Sequence, residues 1–178
     1  MKDNPSAVSL RYYGISPWEI EVLRGLFNNK FEIIQEETTQ IDTNFVSGLI
    51  IIIPVQFSEE FFKWFEFRAW EKVQSILKEM KRRRGKGNAI KIEIVFTGKP
   101  NVRLITDLSE SHFFNSSIEK IDFVVELLPY HLNEASIPKN PSEVIYKFDT
   151  DTSKWRLNMA VYKDKKFIFT KNGWRLII

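Results

Sequence analysis

The segment 48–55, Gly-Leu-Ile-Ile-Ile-Ile-Pro-Val, limits the fold more than any other stretch of the chain. Consecutive β-branched side chains are stiff and pack best on a pleated surface, so the segment reads as a strand. Neighbouring side chains of a strand point to opposite faces. A run of Leu49, Ile50, Ile51, Ile52 and Ile53 is therefore apolar on both, and belongs in the interior of a covered sheet. At five residues it is far shorter than the roughly 20 that a membrane-spanning helix needs.

The elements around it can be read from spacing. Residues 8–13 form a strand ended by Gly14. Ser16-Pro17-Trp18-Glu19 is a capping box that opens a helix with Ile20, Leu23, Leu26 and Phe27 on one face. A second strand spans 31–36. Ser58 caps a helix over about 59–83, which Gly85-Lys86-Gly87 ends. Residues 89–96 alternate between Ile90, Ile92, Ile94 and Phe96 on one face and Lys91 and Glu93 on the other, as a half-exposed strand does. The order β-α-β-β-α-β over the first 97 residues is that of the ferredoxin-like fold, in which the third strand is central and the fourth an edge.

Beyond it, the pattern predicts a hairpin strand at 102–106 and a helix at 117–128 capped by Ser116 and Glu119. A linker follows at 133–142. An antiparallel meander then has strands at 143–148, 155–163, 166–170 and 174–178, with an Asn172-Gly173 hairpin turn. The class is α+β: a ferredoxin-like unit and its added elements over 1–132, with the meander 143–178 packed on it as one globular unit.

One surface feature follows from the long helix. With Ala69 as reference and about 100° per residue, Phe62, Phe65, Val73, Ile76 and Met80 fall on one stripe, Trp64 and Phe67 opposite it, and Trp70 at about 100°. Large aromatics on an outer face need a cover. Trp64, Phe67 and Trp70 are thus a candidate interface, covered by the meander through Trp155 or Trp174, or by a second subunit or a protein partner.

The chain has 178 residues, no cysteine, two histidines and a net charge of +3. Disulfide frameworks, thiolate metal sites and cysteine nucleophiles are excluded. The segments 58–88 and 143–178 each carry a surplus of positive charge. The densest run is Lys81, Arg82, Arg83, Arg84 and Lys86, a candidate contact for phosphate or nucleic acid; cations at a helix C-terminus also complement its dipole, and no aromatic is interleaved among them. Catalytic signals are sparse. His112 follows Asp107, Ser109 and Ser111 within one short loop, whereas triads assemble from distant positions. Asp149 and Asp151 form a D-x-D pair that lacks the rest of a calcium loop and fits a turn. No cofactor motif is present, and Met1-Lys2-Asp3-Asn4-Pro5 has no leader-like apolar core. The expectation is a cytoplasmic, non-catalytic binding or regulatory module that works through protein contact or self-association. Nucleic-acid or phosphate binding through 81–86 is the alternative and a hydrolase the last; no membrane contact is expected.

Overall fold

The computed structural model describes residues 7–134 and 137–177. Segment 1–6, residues 135 and 136 of the expected linker, and Ile178 of the expected last strand lie outside them. Along the chain the elements are β1 (Ala7–Tyr13), α1 (Pro17–Phe27), β2 (Glu32–Glu37), β3 (Ser47–Ile53), α2 (Glu59–Phe65), α3 (Phe67–Arg84), β4 (Ile90–Phe96), β5 (Asn101–Thr106), α4 (Ser111–Glu119), α5 (Val124–Leu132), β6 (Glu143–Asp149), β7 (Lys154–Tyr162), β8 (Lys165–Thr170) and β9 (Gly173–Ile177). All these strands join one sheet, in the order β2-β1-β3-β4-β5-β6-β7-β8-β9. The pairs β1·β2, β3·β4 and β5·β6 are parallel and the others antiparallel, so the protein is α+β with a large, mostly antiparallel sheet.

The ferredoxin-like arrangement is not the one that forms. In a split β-α-β fold another strand separates the two parallel strands of each unit. Here β1 lies directly against β2, and β3 against β4. The fourth strand is not an edge either. The hairpin partner β5 takes its free side, so the buried row Ile92 and Ile94 continues into Thr106 and Leu104. The meander is no separate layer. It extends the same sheet, because β6 pairs with β5.

Register shows which face is covered. Leu10, Ile51, Ile94, Leu104 and Tyr146 share one face and are all buried. Ile20, Leu23 and Phe27 of α1, Val73 and Leu77 of α3, Phe114 and Ile118 of α4, and Val124 and Leu128 of α5 join them in one core. The helices therefore all lie on that face. The opposite face carries Arg11, Ile50, Ile52, Glu93, Arg103, Ile105 and Ile145. The isoleucines of β3 are thus covered on one side only; on the other, Ile50 and Ile52 are half-buried among neighbouring side chains of the sheet, including the ion pairs of Arg103 with Glu93 and Glu143.

This one-sided cover fixes an uncommon topology. The crossovers β1→β2 and β3→β4 run in opposite strand directions and step opposite ways along the sheet, so they share a hand. The crossover β5→β6 repeats the step of β3→β4 with the strand direction reversed and its helices on the same face. Its hand is therefore opposite to the other two, whereas about 98% of such connections share one hand.

Three expected elements differ in detail. The helix over 59–83 is two helices broken at Glu66, whose φ is +74°. The break turns Trp70 inward, where its ring lies 5.2 Å from that of Phe62 and 6.5 Å from that of Phe96. The helix expected at 117–128 is α4 and α5, with Ser116 and Glu119 inside α4 rather than capping it. The β8–β9 loop is Lys171-Asn172, with Gly173 at φ +97° pairing back to Thr170; only Gly173 of the expected Asn-Gly turn takes a left-handed conformation.

Ile51 has no solvent exposure and sits in the middle of the covered face. Ile51→Asp is expected to abolish cooperative folding, because an unpaired buried carboxylate costs several kcal/mol. Far-UV circular dichroism with thermal melting checks this; a wild-type melt would remove β3 from the core.

Candidate functional site

The basic run 81–86 is largely consumed by the fold. Lys81 is fully buried; its Nζ donates to the carbonyls of Gly87 (3.0 Å) and Ser109 (2.8 Å). It ties the end of α3 to the loop before α4 and is closed to any external anion, which corrects that assignment. Arg84 reaches back across the core to α1. Its Nη1 and Nη2 donate to the two carboxylate oxygens of Glu19, each at 2.8 Å, and further bonds reach Ser47 Oγ, Met80 O and Gly14 O. Arg82 pairs with Glu79 on the surface, and the Arg83 guanidinium lies over the Trp18 ring at 5.2 Å. Only Arg82, Arg83 and Lys86 of the five are exposed.

Glu19 is itself buried. Burial alone would raise its pKa, but the Arg84 guanidinium and the Ser16 hydroxyl and amide outweigh it and hold the carboxyl at about 2, below its ordinary 4.5. The Ser16–Glu19 capping box thus also fixes the acid that receives Arg84.

The aromatic candidates separate. Trp70 is 1% exposed and belongs to the core, which corrects its place in the interface. Trp64 and Phe67 are about half exposed, at 48% and 49%. Each ring already has a neighbour: Phe31 meets Trp64 edge-on at 5.3 Å under Lys30, and Phe62 stacks on Phe67 at 6.1 Å. The meander does not cover them. Trp155 lies under α4, where its Nε1 donates to Ser117 O at 2.9 Å.

The polar candidates do not converge on one site. His112 stands exposed in the first turn of α4, and Asp107 pairs with Lys147. Asp149 accepts from the Asp151 amide, the Thr152 hydroxyl and Arg156 Nε, as a turn aspartate does. His131 Nδ1 lies 2.8 Å from Tyr146 Oη, and burial pushes the histidine below its ordinary value. Among the described residues, no group of three or more His, Asp or Glu is placed to hold a metal ion, and no helix is long and apolar enough to cross a membrane.

The surface that stands out lies at the C-terminal end of the sheet. From the register Val144–Ala160–Phe167, the side of β8 and β9 that continues the core face carries Phe167, Phe169, Trp174 and Leu176. No helix of the described residues lies over this hairpin. Phe169 and Leu176 are each 46% exposed, and the Phe169 and Trp174 rings meet edge-on at 5.4 Å. A groove runs between this hairpin and the end of α5, lined by His131, Glu134, Trp155, Leu157, Phe169 and Trp174. Trp155 also floors a second depression beside Phe123, Val124 and Leu127. Phe123 and Leu127 line it, and Tyr130 follows them at helical spacing, with Phe123 61% and Tyr130 76% exposed. Residues 154–177 contribute seven Lys or Arg and one acid; of these, Lys165 lies on the helix side of the hairpin and Lys163 and Lys171 at its turns, whereas Lys166 and Arg175 point to the other face. The sequence showed these aromatics and cations but not the groove, because the covered area depends on where the helix layer stops.

No protein-family model matches the chain, and no curated protein or solved structure is significantly similar to it.

The Glu19–Arg84 pair gives a stability prediction. Its carboxyl has a depressed pKa in the folded state, so its contribution is complete above pH 4.5 and is lost as pH falls from 4.5 toward about 2. A depression of this size corresponds to on the order of 3 kcal/mol. Glu19→Gln should destabilise the protein by about 3–5 kcal/mol at neutral pH, since it strands a buried guanidinium. It should also flatten the acid limb of the stability curve. Urea titrations between pH 2 and 7 check both.

Proposed function

We propose that this chain is a cytoplasmic, non-catalytic protein-interaction module whose contact surface is the groove between α5 and the β8–β9 hairpin. The observation that carries the reading is that the helix layer stops short of the sheet. It leaves Phe169 and Trp174 lining a groove that shares Trp155 with the depression beside Phe123 and Leu127, with Tyr130 and Leu176 exposed on the same elements. Exposed apolar tracts rimmed by polar groups mark interaction sites, and clustered aromatics in a concave surface are what partner anchors fill.

A polyanion reading has weaker support. Single-strand binding needs cations and stacking rings on a common track. The cations of β8 and β9 interleave with aromatics in sequence, but register divides them in space. Lys166 and Arg175 lie on the open face with Ile168 and Ile177, while Phe167, Phe169, Trp174 and Leu176 lie on the helix side. In 81–86, Lys81 and Arg84 are already engaged within the chain.

The test is site-specific photo-crosslinking in the cell, with a benzophenone side chain at Tyr130 or Phe169 and a control at the exposed Glu60. Protein adducts are expected at the first two positions and not at the control. Adduct levels at 130 and 169 no higher than at 60 would remove the groove as an interface.

A further inference from the structure

The groove has a definite width. Two strands span about 10 Å, and packed helices lie about 8–10 Å apart, so the β8–β9 hairpin, over which no helix of the described residues lies, offers the place of one further helix beside α5. The occupant must be apolar toward the hairpin and acceptable to a basic rim. One element of this chain meets both conditions. α5 and its approach carry Phe123, Leu127 and Tyr130 facing away from the core. Glu126 lies on that same outer face, opposite in sign to Lys165 on the helix side of the hairpin and to Lys163 and Lys171 at its turns.

On the reading of the groove as an interaction surface, we propose that its occupant is α5 of a second copy of this chain, in a two-fold symmetric dimer. α5 lies over β6 and β7, where His131 meets Tyr146 and Val124 and Leu127 flank Trp155. The vacancy lies one helix spacing further along the same sheet. A two-fold axis parallel to the strands and midway between these two positions turns the second sheet over. It seats the second α5 on the first hairpin and, by the same operation, the first α5 under the second hairpin. Each α5 is then held between its own sheet and the partner hairpin. Both unpartnered faces are covered by one interface that closes on itself, as an isologous contact does. The remaining helices do not obstruct this arrangement: α1 and α3 lie on the far side of α5, and α4, whose C-terminal end reaches Trp155 and Ser153, shares the layer of α5 rather than rising above it. Glu126 of each α5 faces the partner hairpin's Lys163, Lys165 and Lys171, which favours this pairing over one of hairpin on hairpin, where like charges would meet.

The absence of cysteine makes the test clean. Sedimentation equilibrium of the full chain up to about 100 μM should show a monomer–dimer equilibrium, since specific dimers populate well below this concentration. Leu127→Glu and Phe169→Glu, both at exposed positions, should each raise the dimer dissociation constant at least tenfold while keeping the melting transition that the wild type shows at concentrations where it is monomeric. Mixing Leu127→Cys protein with Phe169→Cys protein under mild oxidation should give a crosslinked heterodimer faster than either protein links alone. Ile34→Cys, on the opposite edge strand, should give none. A monomer across the concentration range overturns the proposal. So does a dimer that both glutamate variants leave intact, or one that crosslinks through Ile34. If the chain is monomeric yet photo-adducts with other proteins form at Tyr130 and Phe169, the groove remains an interaction surface and only the self-pairing fails. If neither association nor adducts appear, both fall.

Discussion

The helices lie on one face of the sheet, and they run out before the sheet does. Nearly everything distinctive about the molecule follows from that mismatch. A sheet face must be covered by something apolar or be made tolerable to water. Over β1 and β3 to β7 the helix side is covered, and its residues are among the most buried in the chain. The other side is made tolerable with charge. Arg103 is held between Glu93 and Glu143, Arg11 faces Glu36, and Lys91 faces Asp42. Over β8 and β9 neither solution is applied to the helix side. It keeps the apolar alternation of a covered strand pair without a cover among the described residues.

The interior depends on two charged anchors as well as on apolar packing. Lys81 and Arg84 leave the last turn of α3 in different directions, one toward the loop before α4 and the other toward α1. α3 is the central helix of the layer, touching α1 on one side and α4 on the other, so these two side chains pin both neighbours to it. A buried ion pair is not in itself a strong source of stability, because desolvation offsets much of the attraction. Its fixed bidentate geometry instead specifies a position: Glu19 is set by its own cap, and Ser47 at the start of β3 bonds both Arg84 and the Gly14 carbonyl. That places the turn after β1, the first turn of α1, β3 and the end of α3 in one register.

Much of the element order was legible from residues alone. The β-branched run of β3, the Ser16 capping box and the alternation of β4 all name structures that formed, because each rests on local physics. Strand order was not legible. Two β-α-β units can be split or left intact with the same sequence of elements, and the choice depends on which edges find partners; here β5 claims the free side of β4. The break at Glu66 was hidden for another reason. Phe62, Phe65 and Val73 fit a single helical stripe, yet Trp70 is drawn into the ring cluster around Phe96, and a residue at φ +74° is the cost of turning it there. The basic run misled because side-chain reach is invisible in sequence: long cations near a helix end can face water or, as with Lys81 and Arg84, turn inward to meet carbonyls and a carboxylate.

The two edges of the sheet are protected differently, and the difference bears on where contact occurs. β2 presents Glu32, Glu36 and Glu37, so its edge repels a like strand. β9 presents Trp174, Leu176 and Ile177 with Arg175 as its one charge. An apolar edge beside an apolar face is an aggregation hazard unless something specific occupies it. The lysines of the β7–β8 and β8–β9 turns discourage hairpin-on-hairpin stacking without making the aromatic face polar. On the proposed pairing, that combination disfavours a second hairpin more than a helix that carries Glu126 beside its apolar residues.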